Sequence, residues 1–190
     1  MKRAAILAIL GVASLILIAG WSFGKKEKEK PVQERFEAVM SPSISTSDRV
    51  FVAIREFSTD QELQALARTF AQGGEKALEK ALGKVNKGQF RIGNEETMPI
   101  LIITSTQEGD VRKLNLIGKA PTIPLQGLAG SLSTQHSGFP YTFIQLQVND
   151  RGVGRGAMIL YVNLGFNPQG RISIKPMDRQ TVQLGNVHKP

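Results

Sequence analysis

The chain has 190 residues, no cysteine, and 24 lysine and arginine residues against 16 aspartate and glutamate residues, a formal net charge of +8. This length allows one domain and hardly two, and a chain with 41% hydrophobic residues is too apolar for wholesale disorder. The absence of cysteine excludes a disulfide framework, thiolate metal sites and a cysteine nucleophile.

The first 24 residues have the pattern of an export segment. Lys2 and Arg3 precede an uncharged, mostly apolar stretch over residues 4–24 that ends in small residues. This pattern is typical of a signal peptide, and the stretch is also long enough for an uncleaved transmembrane helix. A buried cytosolic helix is the third interpretation. The first two predict an exported protein, either periplasmic or extracellular, or anchored to the membrane through its N-terminus.

Residues 25–47 are predicted to form a tether. The run Lys25–Lys30 consists only of charged side chains, which stay solvated. Two prolines and the Ser-rich stretch over residues 41–47 show no periodicity. A short turn of helix across Gln33–Met40 is the alternative. We therefore expect a flexible spacer, followed by a single globular domain over residues 48–190.

The leader and tether also explain much of the positive charge. Residues 1–24 and the run 25–30 each contribute +2, so that +4 remains on residues 31–190. An exported domain rarely meets DNA, and a nucleic-acid partner is therefore not expected.

The globular part begins with a strand and a pair of helices. Val50–Ile54 is apolar at most positions, which favours a strand. Thr59 and Glu62 have capping-box spacing, and an apolar stripe at helical spacing follows. Gly73 and Gly74 interrupt that stripe, and a second amphipathic segment ends near Gly88. The pattern predicts two short helices in a hairpin that covers a sheet.

The rest of the chain consists of β-rich runs separated by turns. Glu108-Gly109-Asp110 separates Ile100–Gln107 from Val111–Gly118, as expected of a β-hairpin. Alternating apolar and polar residues predict a half-buried strand around residues 144–149. Three further runs are predicted strands: Gly156–Leu164, Arg171–Lys175 and Thr181–Leu184. We therefore expect an α+β fold: an antiparallel sheet of hairpin-linked strands covered by a two-helix hairpin and preceded by an N-terminal hydrophobic helix.

Several of these segments resemble a family of exported bacterial proteins of unknown function. The segments are Gln72-Gly73-Gly74 with the helix up to Lys87-Gly88, Phe139-Pro140-Tyr141 with the strand up to Gly156, Phe166-Asn167, Gly170-Arg171-Ile172 and Gln183–Val187. The resemblance covers roughly residues 49–188 in the same order. It implies export and an α+β domain, and it implies no catalytic residues.

The candidates for catalysis are His136 with Ser133 or Ser137. A serine hydrolase needs a base beside the hydroxyl and a third group that orients the base. These three residues share one polar loop, but no G-x-S-x-G motif accompanies them. A solvated loop histidine is the alternative, and we expect no catalytic site.

No cofactor or metal is expected either. Two separated histidines and no cysteine do not make a zinc site. Asn149-Asp150 lacks the further oxygen ligands of a calcium loop, and Glu95-Glu96 are adjacent loop residues rather than a catalytic pair.

Two groups of basic residues are candidates for anion binding. Lys76, Lys80 and Lys84 recur every four residues with Lys87 beyond them, a predicted ridge on the second helix. Arg151 precedes the glycine-rich stretch at residues 152–156, and Arg155 lies within it. An ordinary solvated surface is the alternative for both groups. An anionic polymer or a lipid surface would be the partner of such a ridge.

The sequence as a whole favours an exported cell-envelope protein that binds or scaffolds an unknown envelope partner and is not an enzyme. The alternatives are an exported hydrolase that uses His136, and an anionic polymer- or lipid-binding module that uses the Lys76–Lys87 ridge. Membrane attachment through residues 4–24 depends on whether that segment is cleaved.

Overall fold

The computed structural model describes residues 30–41, 49–121, 140–167, 169–177 and 181–190. These residues form nine strands and one helix. In chain order the elements are β1 (Glu34–Ser41), β2 (Arg49–Ile54), α1 (Asp60–Leu82), β3 (Gly88–Ile92), β4 (Met98–Glu108), β5 (Val111–Lys119), β6 (Tyr141–Val148), β7 (Gly154–Phe166), β8 (Ile172–Pro176) and β9 (Val182–His188).

Eight of the strands close into an antiparallel barrel. The strand order is β6-β5-β4-β3-β2-β1-β9-β7, and β6 pairs with β7 to complete the ring. Strand β8 lies outside the ring and pairs with the second half of β7, where Leu164 is opposite Ile174. Closure of the ring leaves β8 as the edge strand among the described elements.

The barrel interior is filled by apolar side chains. Every second residue of β1, β2 and β6 points inward, as the period of two along a strand requires. Phe36, Ile54 and Phe90 are among the largest of the fully buried side chains. The interior is therefore a packed core.

A second apolar cluster lies outside the barrel, beneath α1. A register shift in β4 near Ile100 and Ile102 turns Leu101 and Ile102 outward. Tyr161, whose φ is 55°, has the same effect in β7, because Val162 and Leu164 then face α1. These two irregularities give the barrel an apolar outer patch that the helix covers.

The expected α+β fold with a two-helix hairpin is wrong. The described residues contain one helix, which is kinked at Gly74 (φ 63°, ψ −155°) and continues to Leu82. Gly74 lies within this helical segment, and its non-helical backbone marks the kink. The sheet is a closed barrel rather than an open sheet beneath two helices.

The boundary of the predicted tether also needs correction. Residues 34–41 form β1, which pairs with β2 on one side and β9 on the other and buries Phe36, Ala38 and Met40. Neither the flexible spacer nor the alternative turn of helix describes this segment. The charged run Lys25–Lys30 falls outside the described residues except for Lys30.

The predicted N-terminal hydrophobic helix over residues 4–24 lies outside the described residues. Among the helical residues that the structure does describe, none belongs to a helix long and apolar enough to cross a membrane.

Candidate binding groove

A groove on the outside of the barrel is the candidate functional site. It encloses about 560 Å³ and lies between the first turn of α1, the outer faces of β4, β5 and β6, and the hairpin that joins β7 to β8. We call this cavity the outer groove.

The floor of the outer groove is apolar. Ile102, Ile117 and Phe143 are consecutive partners across β4, β5 and β6, so their side chains form one row on the outer face. Ile172 and Ile174 of β8 line the opposite side. These side chains offer a ligand a surface from which water is easily displaced.

A row of polar side chains runs parallel to this floor. Thr104, Asn115 and Gln145 are partners across the same three strands, two residues further along each strand. Gln145 Nε2 donates to Asn115 Oδ1 at 2.8 Å, and Gln147 Nε2 donates to Gln145 Oε1 at 3.3 Å. The hydrogen bonds fix the amide orientations, so the row presents ordered donors and acceptors beside an apolar surface.

The helical wall of the outer groove is held by a capping box. The Glu62 backbone N–H donates to Thr59 Oγ1 at 3.2 Å, and the Thr59 N–H donates to Glu62 Oε2 at 2.7 Å. This arrangement satisfies two free donors of the first turn. Asp60, Leu63 and Gln64 of the same turn line the groove, so the cap fixes the position of that wall.

A buried ammonium group ties the same turn to the barrel. Lys87 Nζ donates to Glu62 Oε1 at 2.5 Å and to Glu56 Oε1 at 3.0 Å. Its side chain is 8% exposed, compared with 27% for Glu56 and 45% for Glu62. Lys30 also pairs with Glu56. The cluster links the approach to β3, the chain after β2 and the start of α1.

The ion pairs shift the pKa values of all three groups. Hydrogen bonding from Lys87, followed by that from the Thr59 backbone, lowers the pKa of Glu62 below its ordinary value of 4.5. Hydrogen bonds from Lys30 and Lys87 lower the pKa of Glu56. Burial alone would lower the pKa of Lys87, but the two carboxylates outweigh it and raise this pKa. The cluster is therefore charged at neutral pH.

The third wall is the β7–β8 hairpin. Asn167 Oδ1 accepts hydrogen bonds from the Arg171 N–H at 2.8 Å and the Gln169 N–H at 3.1 Å. Gly170 has a φ of +74°, which other residues rarely adopt. This turn positions Arg171, which lines the groove, as Asp60 of α1 does. These two are the charged residues among those that line the groove.

The lining of the outer groove contains few ionisable side chains. The described lining residues contain one carboxylate, Asp60, and no histidine or lysine that could act with it as an acid–base pair. Within the described parts of the chain, no cluster of three or more His, Cys, Asp and Glu side chains could hold a metal ion. The arrangement can hold an apolar body against the floor and a polar group against the amide row.

None of the predicted site residues that the structure describes lines the outer groove. His136, Ser133 and Ser137 lie outside the described residues. Lys76, Lys80 and Lys84 are exposed, whereas Lys87 is buried in the ion-pair cluster and does not belong to an exposed ridge. Arg151 and Arg155 are exposed at and beside the β6–β7 turn.

None of the residues that line the outer groove was predicted as a site residue from the sequence. The sequence carried one indication of this groove, in the hairpin of β4 and β5. On the outer face of that hairpin, the apolar pair Ile102 and Ile117 is followed by the polar pair Thr104 and Asn115. A strand face that changes from apolar to polar along its length marks the edge of a covered patch. The β7–β8 hairpin, which forms the third wall of the groove, carried no comparable sequence pattern, because its position depends on packing against distant parts of the chain.

No protein-family model matches the chain, and comparison with curated proteins and with solved structures finds no match. The resemblance to exported bacterial proteins therefore stays a prediction.

Proposed function

We propose that this protein is an exported, non-enzymatic binding domain whose ligand site is the outer groove. The observation that carries the proposal is the pairing of an apolar floor with an ordered amide row in one groove of about 560 Å³. Ligand sites of small molecules are typically this size and combine apolar walls with a few placed polar groups.

The ligand class that fits is an amphiphile. An acyl or aryl body would cover Ile102, Ile117 and Phe143, and a hydroxyl or amide group would bond to the row formed by Thr104 and Asn115. Because the capping box and the Lys87 ion pairs hold the helical wall, the site would need little rearrangement to bind.

The experiment is a fluorescence titration of the full-length chain with a dansyl-labelled medium-chain fatty amide. We expect saturable 1:1 binding. Thr106→Trp, at an exposed position that lines the groove, should weaken binding at least about tenfold, which is about 1.4 kcal/mol. Thr181→Trp is the matched control, since Thr181 is exposed and does not line the groove.

Binding that is equally weakened by both variants, or by neither, would refute the groove as the ligand site. Recovery of the probe unchanged after prolonged incubation is expected of a non-enzymatic domain, and its conversion would contradict that part of the proposal.

Export is the second part of the proposal, and it is supported by the sequence of residues 1–24. Cell fractionation with N-terminal sequencing of the mature protein tests it. A chain recovered from the cytoplasm with Met1 intact would contradict export.

A further inference from the structure

The outer face of β1, β2 and β3 carries a second cavity, of about 510 Å³, which differs in chemistry from the outer groove. The side chains that line it include Arg35, Glu37, Phe51, Gln89, Arg91, Thr97 and Pro190, and Ala53 lines it as well. Because these walls are mostly polar, the cavity does not favour an apolar ligand.

The strand register brings two arginines to this cavity. Arg35, Ala53 and Gln89 are partners across the three strands, and Glu37, Phe51 and Arg91 form the neighbouring row. Ala53 is flanked by longer side chains in its row, so it leaves a depression between them. Arg35 and Arg91 approach this depression from opposite strands.

The two arginines are held differently. The guanidinium carbon of Arg91 lies 4.6 Å from the centre of the Phe51 ring, a cation–π contact that fixes its plane. Arg35 is exposed, and no ion pair or hydrogen bond joins its side chain to another described residue. One guanidinium is thus preoriented, and the other can close on a ligand.

The charge around the cavity is positive. The outward-facing ionisable residues of this surface are Glu37 and four arginines: Arg35, Arg49, Arg55 and Arg91. Glu37 is 3.6 Å from Arg49, which neutralises it. Arg55 is 8% exposed and donates to Asn86 and Gln89 at 3.1 and 3.3 Å. A surplus of fixed positive charge beside a polar depression favours an anionic ligand.

We propose that this cavity, the arginine site, binds the carboxylate groups of an acidic polysaccharide. The planar guanidinium fork of an arginine matches both oxygens of a carboxylate. Gln89 and Thr97 supply the hydrogen-bonding groups that sugar hydroxyls need, and the open site lets a chain pass across three strands.

A membrane surface fits this site less well. Val111 and Val153 are the large hydrophobic side chains that are exposed in the described part of the chain, and both lie at strand turns away from β1–β3. Phe51, which lines the arginine site, is half-buried and lies beneath Arg91, so the site presents no large exposed apolar side chain that could enter a bilayer.

The test measures binding of the full-length chain to polygalacturonate and to its fully methyl-esterified form, which keeps the sugar and removes the charge. We expect binding only to the acidic form, weakening as salt concentration rises. Arg35→Glu changes an exposed side chain without a described partner, so it should not disturb folding. It should weaken binding at least about tenfold.

Arg35→Gln with Arg91→Gln should weaken binding further, whereas the charge-matched control, Arg151→Gln with Arg155→Gln, should change it less than about twofold. Equal loss in both double variants, or equal binding of the methyl ester, would overturn the proposal. Polyglutamate that binds as tightly as polygalacturonate would overturn the choice of a polysaccharide. Binding of the amphiphile to the outer groove should be unchanged in Arg35→Glu. The proposals for the two sites are therefore tested independently.

Discussion

Lys87 reaches from the approach to β3 to Glu62 in the first turn of α1, with 2.5 Å between the ammonium nitrogen and the carboxylate oxygen. The ammonium is buried and the carboxylate is partly exposed. Removal of Lys87 and removal of its carboxylate partners should therefore differ in their effect on stability. A carboxylate that loses Lys87 can be hydrated, whereas Lys87 without its carboxylates stays charged in a place that water hardly reaches.

We expect Lys87→Met to lower the free energy of unfolding by about 1–2 kcal/mol, because methionine keeps most of the side-chain packing while the exposed carboxylates take up water. Glu56→Gln with Glu62→Gln should cost more, since it leaves the buried ammonium without an anionic partner. Urea unfolding measures both. Lys84→Met, at an exposed position, is the control and should change stability by less than about 0.5 kcal/mol.

If Lys84→Met and Lys87→Met proved equally mild, the ion-pair cluster would not hold α1 to the barrel. A milder effect in the double glutamine variant than in Lys87→Met would contradict the account of unequal burial.

The same cluster predicts a dependence of stability on pH. The pKa values of Glu56 and Glu62 are lowered in the folded protein, by hydrogen bonds from Lys30 and Lys87 to Glu56 and from Lys87 to Glu62. A carboxylate with a lowered folded pKa stabilises the fold above its unfolded pKa of about 4.3, and this contribution is lost as pH falls through the folded value. The fold should therefore weaken below about pH 4.3.

At the alkaline end the sign is reversed. The pKa of Lys87 is raised, because its two carboxylates outweigh the effect of burial. Its contribution is complete below the unfolded pKa of about 10.4 and is lost as pH rises through the folded value. Urea midpoints measured from pH 3 to 11 would show both losses, and Lys87→Met should flatten the curve at both ends. An unchanged curve in that variant would assign the pH dependence to other groups.

The sequence was most informative where structure depends on neighbouring residues. The strand at Val50–Ile54, the turn Glu108-Gly109-Asp110 and the capping box of Thr59 and Glu62 all lie where the sequence placed them. Each has a local sequence signature (an apolar β-rich run, turn residues or capping-box spacing), which periodicity and turn chemistry describe well.

The errors concern interactions between distant parts of the chain. Strand β1 lies beside a charged run and is stabilised by β2 and by β9, whose partner residues are about 145 positions away. The five-residue β3 was missed because Gly88 was interpreted as the end of a helix. The pairing of β1 with β9, which closes the barrel, produces no pattern in the local sequence. The same holds for the position of the β7–β8 hairpin beside the outer groove.

Gly74 within α1 and Gly83 at its C-cap should respond to substitution in opposite ways. Gly74 has φ 63° and ψ −155°, a conformation that is strained for any residue with a Cβ. Gly74→Ala should therefore destabilise the protein by about 1–3 kcal/mol. Gly83 has the helical values φ −58° and ψ −17° at the C-cap, and Gly83→Ala should stabilise by up to about 1 kcal/mol.

Thermal unfolding of the two alanine variants measures this difference directly. A stabilised Gly74→Ala variant would mean that α1 can run straight without loss of packing. In that case the kink would not be needed for the two halves of α1 to reach the apolar patch outside the barrel.

Thr142 has a fully buried side chain whose hydroxyl finds no hydrogen-bond partner among the described residues. An unsatisfied buried hydroxyl costs free energy, and valine has nearly the same shape without it. We expect Thr142→Val to raise the free energy of unfolding by about 1 kcal/mol. Thr142→Ser is the control, because it keeps the hydroxyl and loses a packed methyl group, and it should destabilise by about 1 kcal/mol. Urea denaturation that ranks valine below threonine would contradict an unsatisfied hydroxyl at this position.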